Sequence, residues 1–450
     1  MASEPEPGKP SICSECAHTK HLRVFCPCPE HPLVEQSSFM LEKRPTFLYN
    51  SVLSRGEVRL IKLLERTEDC EIVCELVNKF LEEKPLYNAL SYTWGDPNIK
   101  RIIVCDGLPM EIGENLFAAL CQLRKDGQTA LLWVDAMCIN QAHNEEKAVQ
   151  VSFMREIYEQ AELVIAWLGQ EDDTDAEGFS LMQDIYHRLG RADINDLQKD
   201  FTHLAELGLP DPEHSSWVSL CKILYKPYFF RIWIVQEILV AKVCQIQCGT
   251  HVIDRDILFG VTGTIEKYPQ ISDLFKIHAP VDAVWHLNPS FHSQPMRLAY
   301  PVRNLWLLRA TMLGFKAPTM LELLNHTRAF KATDPRDRII GIVGLAGDLD
   351  PRFIRSLVSY EKSVEDVQIE LAKHTIKTAA SEGVMLFSYI DSSHHSEKFP
   401  SWVPDWLSGG PVHWALAATF YEDKAVHVPV FRGFYSNNVS HDTTYPNFTS

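Results

Sequence analysis

The sequence predicts an α/β fold, a mainly parallel sheet flanked by helices and followed by a largely helical C-terminal region. Three observations carry this. Short β-rich runs alternate with amphipathic helical segments between about residues 47 and 190, the pattern of strand–helix–strand units. Two of the runs, Leu131–Ala136 with Asp135 near its carboxyl end and Leu163–Leu168, are otherwise apolar, as strands covered on both faces are. Helical signals then dominate from Ser216 to Ala241 and again beyond Thr319.

Taken in order, Glu57–Leu64 and Tyr87–Trp94 read as strands. Arg101–Cys105 and Leu108–Ile112 flank Asp106-Gly107, a dipeptide that favours the two-residue hairpin turn. Leu116, Ala119, Leu120 and Leu123 recur at helical spacing over Asn115–Arg124, with Gly127 placed to end the helix. After the strand at Leu131, Glu146–Ala161 carries Val151, Met154, Ile157, Tyr158 and Ala161 on one helical face. Asp175–Leu189 does the same through Phe179, Met182, Ile185, Tyr186 and Leu189, stopped by Gly190. Cys244, Ile246 and Cys248 alternate as a strand before a Gly249-Thr250 turn. Asp334-Pro335 is read as an N-cap and first helical residue opening Arg336–Leu345. Ser363–Asp366 resembles a capping box opening a helix to about Ala380. The expected organisation is a Cys- and Pro-rich tail at 1–46, a core at 47–190, a helical and strand extension at 191–270, an insertion or linker at 271–317, a helical region at 318–406 and a tail at 407–450 whose last residues make an unconvincing domain terminus.

Composition bounds the function. Of 450 residues, 46% are hydrophobic, including 10 Trp and 22 Phe, which excludes wholesale disorder. A net charge of −16 offers no footprint for a phosphate backbone, so no nucleic-acid binding is expected. The first residues lack the basic start and apolar run of a signal peptide, and no apolar stretch approaches the roughly 18 residues of a membrane helix. A cytoplasmic protein with no membrane span is expected. Twelve cysteines are then read as reduced thiols, and the sequons at Asn325, Asn438 and Asn447 as unused. Cys13-x-x-Cys16 has the spacing of a zinc knuckle, but Cys26-Pro-Cys28 is a poor second half. Free thiols on a tail are therefore favoured, with zinc at Cys13, Cys16, Cys26 and Cys28, interspersed with His18, His21 and His31, as the alternative. The P-loop, dinucleotide-turn, thermolysin-type zinc and nucleophile-elbow motifs are all absent, and Gly341, Gly344 and Gly347 are read as helix-packing positions.

Three stretches are denser in polar and aromatic residues than simple core. They are Tyr87–Asp96, Leu132–Gln141, and Glu146–Tyr158 continuing into Ile165–Gln170. Ligands of α/β sheets bind at the carboxyl ends of the strands, so Ser91, Tyr92, Asp96, Asp135, Asn140 and Gln141 would converge if these strands are parallel neighbours. Asp135 suits either ligand contact or a buried hydrogen bond to the next loop. Cys138 is read as an inert thiol rather than a nucleophile, and Trp94, Trp133 and Trp167 as core rather than stacking platforms, with Trp94 kept among the binding candidates. Arg336 and Asp337 are read as a structural salt bridge or cap.

These stretches resemble the fungal heterokaryon-incompatibility (HET) domain. The resemblance rests on Ala89-Leu-Ser-Tyr-Thr-Trp-Gly95, Leu132-Trp-Val-Asp-Ala-Met-Cys-Ile-Asn-Gln141, Gln150-Val151, Met154, Ile157-Tyr158, Ala161 and Trp167-Leu-Gly169. It continues through Tyr228–Glu237, Ala332–Asp337 and Ser401–Trp406. His143 stands where the family usually has Asp, and Lys147 where it usually has Arg, while Glu146 keeps its place.

The resemblance implies nonself recognition between hyphae and control of programmed cell death. It also implies a remote likeness to TIR domains, some of which hydrolyse NAD, and hence a TIR-like sheet. The order of strand, hairpin, helix, strand, helix, strand and helix found here is compatible with that likeness. An NAD-hydrolysing reading needs a carboxylate beside the ribose. By strand order Glu171 or Glu177 qualifies, Glu146 by the motif, and Asp135 by its place after a strand. Glu177 and Glu146 equally suit helix N-termini as dipole-matching charges. Tyr92, Trp94, Asp96, Asn140 and Gln141 would line the substrate crevice. The alternative is a non-catalytic signalling module acting through self-association or a protein partner.

Overall fold

The computed structural model describes residues 47–64, 72–189, 204–278, 301–314, 317–378, 400 and 402–406. Cys13, Cys16, Cys26 and Cys28, the segments 191–203 and 279–300, the expected helix end at Ala380 and the tail from 407 lie outside the described residues. The elements all belong to the compact unit that begins at Tyr49.

A nine-stranded mixed sheet organises the α/β fold. Its strands are β1 (Glu57–Leu63), β2 (Val73–Phe80), β3 (Tyr87–Tyr92), β4 (Lys100–Cys105), β5 (Leu108–Gly113), β6 (Leu131–Trp133), β7 (Leu163–Trp167), β8 (Cys244–Cys248) and β9 (His251–Asp254), in the order β5-β4-β2-β1-β6-β3-β7-β8-β9. β6, β3, β7 and β8 are parallel neighbours, with Ala89 opposite both Trp133 and Val164. Antiparallel pairings surround this centre, and the parallel β2–β4 pair stands beyond β1. β3 is buried at all six positions, because helices cover a central parallel strand on both faces. The hairpin at Asp106-Gly107 has positive φ at both residues, 49° and 77°, the geometry of the turn its sequence predicts.

Helices α1 (Glu114–Lys125), α2 (Asp135–Cys138), α3 (Asn144–Ser152), α4 (Met154–Gln160), α5 (Asp175–Leu189), α6 (Ser215–Leu224), α7 (Ile234–Val240), α8 (Arg255–Lys267) and α9 (Pro269–His278) connect or follow the strands. The C-terminal region adds α10 (Pro301–Leu313), α11 (Met320–His326), α12 (Asp337–Val343), α13 (Pro351–Leu357) and α14 (Val364–Thr378).

Several expectations are corrected. The helix expected over 146–161 is two helices, because Phe153 leaves the helical region at φ −128°, ψ 22°. The helix expected over 216–241 breaks at Lys226-Pro227, where Pro227 opens a 3₁₀ turn to Phe230; proline cannot donate to a continuing helix and pushes its predecessor into extended backbone. The strand expected over 131–136 ends at Trp133, and Asp135 opens the single turn α2. The stretch 271–317, in which the sequence shows no clear period, holds the greater part of α9 and all of α10. Strands β2 and β9 and helix α8 are additions; β2 was masked by Glu75 and Lys79, whose charges interrupt its apolar run. A Cβ on Gly341 of α12 would lie 3.4 Å from Ile232, whereas Gly347 lies in a turn beyond that helix, where a Cβ would meet Ala317 at 2.4 Å.

Candidate functional site

The carboxyl ends of β6, β3, β7 and β8 lie side by side, so the loops that follow them form one edge. They supply Asp135 after β6, Trp94 after β3, Gln170 and Glu171 after β7, and Gly249 and Thr250 after β8. Asn115 of α1 joins two of these loops, donating to the Thr93 carbonyl at 2.7 Å and accepting from the Trp167 indole at 3.0 Å. Gly169 turns the chain at φ +123°, a conformation closed to residues with a Cβ.

Asp135 is the centre of the first sector. Its carboxylate accepts from Trp94 Nε1 at 2.9 Å and from the Ala136 amide at 2.7 Å, and it is hydrogen-bonded to Tyr92. Gln141 Nε2 donates to the Asp135 carbonyl at 2.9 Å. Burial pushes the Asp135 carboxyl above its ordinary value, against the Arg231 charge and the hydrogen bonds from Trp94, Ala136 and Tyr92. Trp94 is 48% exposed, which corrects the expectation of a core indole; Trp133 and Trp167 are fully buried.

Behind Asp135 lies a polar cluster of which the sequence singles out Ser91 but neither Arg231 nor Glu237 as site residues. Arg231 stands 3.8 Å from Glu237, which is buried and hydrogen-bonded to Ser91 and Tyr158. Ser91 also meets the Tyr228 hydroxyl at 2.6 Å. Burial pushes Glu237 up to about 7, although Arg231 and the Ser91 and Tyr158 hydroxyls favour its ionised form. In the sequence, Tyr228–Glu237 stands out by its resemblance alone. An Arg in extended backbone and a Glu six residues on, in a helix, share no periodicity, so nothing local announces that they meet.

The second sector is an open cleft of about 480 Å³ between α1 and the loops after β7 and β8, within the size range of small-molecule sites. Arg101, Glu114, Lys125, Gln170 and Glu171 line it, above Phe117 and Trp167. Glu171 accepts from both the amide and the hydroxyl of Thr250 at 2.6 Å, bonds that hold its carboxyl below the ordinary value. A Cβ on Gly249 would come within 2.5 Å of that carboxylate.

The structure thus brings Tyr92, Trp94, Asp135 and Gln141 together and leaves the other candidates apart. Asp96 accepts from the Asn98 amide at 2.8 Å in an exposed turn, and Asn140 accepts from the Ala142 amide at 3.1 Å. Glu146 is buried against Arg59, at 2.6 and 3.1 Å, and also accepts from the Asn140 and Leu53 amides. Glu177 lies in the first turn of α5, bound to the Ser215 hydroxyl at 2.6 Å, and does not line the cleft. His143 caps α3, its Nδ1 accepting from the Glu146 amide at 3.1 Å. Burial pushes the Cys138 thiol up to about 12, as expected of an inert thiol. The expected Arg336–Asp337 pair is corrected: Arg336 binds Asp334 at 2.6 Å, and Asp337 accepts from Trp233 and Tyr360.

Fold and edge define an α/β protein with a polar, aromatic-rimmed carboxyl-edge site. The model of the family "Heterokaryon incompatibility protein (HET)" matches residues 87–237, from the start of β3 into α7. Over that segment the chain is similar to the HET family. It is 25% identical over 420 residues to heterokaryon incompatibility protein 6, OR allele, of Neurospora crassa, an alignment covering 80% of this chain and 59% of that one. The chain thus spans less than two thirds of the length of that relative. No solved structure matches it significantly.

Proposed function

We propose that this protein acts in fungal vegetative incompatibility as an effector or regulator of nonself recognition and programmed cell death, and that its chemical act is hydrolysis of NAD at the carboxyl edge. The observation that carries the reading is that the HET match, 87–237, encloses Asp135, Trp94, Glu171, Arg231 and Glu237 together. Hydrolysis turns NAD and water into nicotinamide, ADP-ribose and a proton. The bond to nicotinamide breaks through an oxocarbenium-like ribosyl group, which a nearby carboxylate stabilises or orients through its hydroxyls. Glu171 supports this role because it lines an open cleft with its carboxylate held by Thr250. Asp135 supports it from the neighbouring sector, beneath the half-exposed Trp94. Glu146 and Glu177 take structural roles in this reading.

The test is NAD turnover by purified full chain beside Asp135→Asn, Glu171→Gln and Glu177→Gln, each checked for folding. Loss of about a hundredfold or more in one of the first two, with Glu177→Gln near wild type, is the expected outcome. No turnover by concentrated wild-type protein would overturn the enzymatic part. One observation favours the second reading, a non-catalytic module binding a protein partner or itself: the Asp135 carboxylate already has Trp94, Ala136 and Tyr92 as partners. On that reading a folded Asp135→Asn variant keeps its signalling in a cell-death assay.

A further inference from the structure

The β4–β5 hairpin joins the rest of the sheet beside a pair of cysteines. β4 and β5 pair along their whole length, from Lys100 opposite Gly113 to Cys105 opposite Leu108. On its other side β4 meets β2 over a short ladder, Val104 opposite Val73 and Cys105 opposite Cys74. The Val104 amide donates to the Ile72 carbonyl at 2.9 Å, and the Asp106 amide to the Cys74 carbonyl at 3.0 Å. At the hairpin turn the Asp106 carboxylate accepts from the Leu76 amide at 3.0 Å. Side chains at one register position of neighbouring strands leave the sheet on the same face. Cys74 and Cys105 are both buried, free thiols, so they stand side by side on a covered face. Neighbouring strands lie about 4.8 Å apart, within the roughly 4.4–6.8 Å that a disulfide spans between its Cα atoms.

We propose that Cys74 and Cys105 form a redox modification site, a buried dithiol that a peroxide converts to a disulfide stapling the β4–β5 hairpin to β2. One sulfur, as thiolate, attacks a peroxide oxygen. The O–O bond breaks, the hydroxide leaves with the thiol's proton as water, and a sulfenic acid remains. The second sulfur then forms the S–S bond, the S–O bond breaks, and the other thiol's proton leaves in a second water. Two thiols are oxidised and one peroxide is reduced. The folded chain restrains the first step, because Cys74 beside it and burial hold the Cys105 thiol above its ordinary value, and the thiolate is the reactive form. Attack therefore follows opening of the short ladder between β2 and β4, and the disulfide closes that opening. The staple acts on the strand that supplies Arg101 to the open cleft. It does not depend on whether the protein hydrolyses NAD.

The test treats the reduced full chain with hydrogen peroxide and maps its peptides without reductant, so it needs no variant to fold. Cys74 linked to Cys105 is the expected product, and dithiothreitol is expected to restore both thiols. In the linked protein, hydrogen exchange at the Val104 and Asp106 amides, which bond to β2, is expected to slow by about tenfold or more. The urea midpoint of unfolding is expected to rise with it. Cys105→Ala should lose the link, the slowed exchange and the raised midpoint together. A link made instead to Cys70 or Cys138, oxidation of either thiol to a sulfinic acid with no link, or no reaction in the folded chain overturns the proposal. So does a Cys74–Cys105 link that leaves exchange at Val104 and Asp106 unchanged. NAD turnover, present or absent, bears on the enzymatic reading alone.

Discussion

Glu146 shows how one conserved-looking acid reads differently once its surroundings are known. Its motif position and its place in the first turn of α3 are visible in the sequence, and either a chemical or a dipole role fits them. Arg59, 87 positions earlier, decides between them by taking both carboxylate oxygens inside the protein. Burial alone would push the Glu146 carboxyl up, but Arg59 and the Asn140 and Leu53 amides hold it below its ordinary value of 4.5. The folded chain thus binds this proton less tightly than the unfolded one. The pair's stabilisation is present above about pH 4.5 and is lost as pH falls through the lower folded value. Glu146→Ala leaves Arg59 buried and unpaired, and should cost about 3–5 kcal/mol in urea unfolding. Turnover per folded molecule is expected to hold. Asp135 contrasts with it, because its surroundings include a half-exposed indole rather than a sealed pair.

At the scale of elements, α5 and α6 cross where Gly178 faces Ser219, Leu220 and Ile223. A Cβ there would lie 2.9 Å from the Ser219 carbonyl carbon and 3.0 Å from the Leu220 amide nitrogen. Backbone cannot yield as a side-chain tip can, so Gly178→Ala should destabilise by about 1–3 kcal/mol, read as a lower thermal midpoint with unchanged helix content. The apolar period that predicts α5 says nothing of this contact, since Gly178 belongs to the buried face only because α6 comes close. Element breaks divide the same way. Pro227 explains the interruption between α6 and α7 from chemistry alone. The break at Phe153 has no glycine or proline behind it, and the two helices keep their apolar faces in one register with the core.

At the scale of the molecule, two buried acids set a pH dependence opposite to that of Glu146. Burial pushes Asp337 from 3.8 to about 6, against the hydrogen bonds from Tyr360 and Trp233, and Glu237 from 4.5 to about 7. The folded state holds these protons more tightly than the unfolded state. Each acid therefore favours folding when protonated, and that contribution falls as pH rises from its unfolded value through its folded one. Asp337→Asn should flatten the decline in stability between about pH 4 and 6. Urea midpoints at pH 4, 5, 6 and 7 measure it, and an unchanged slope would count against the assignment. Asp337 also ties Trp233 to Tyr360, so this slope reports on the junction between the HET-matched segment and the residues beyond it.

The sequence by itself determined the α/β class, the hairpin at Asp106-Gly107 and the resemblance to the HET domain. Each is written in local period, turn chemistry or contiguous motif, and needs only neighbours along the chain. The tertiary structure decided which carboxylates share an edge. It sealed Glu146 with Arg59, tied Glu177 to the Ser215 hydroxyl, put Glu171 in a cleft, and set Arg231 3.8 Å from Glu237. The physical reason is that charge pairing depends on distance and desolvation. Both are properties of chain segments that meet only after folding.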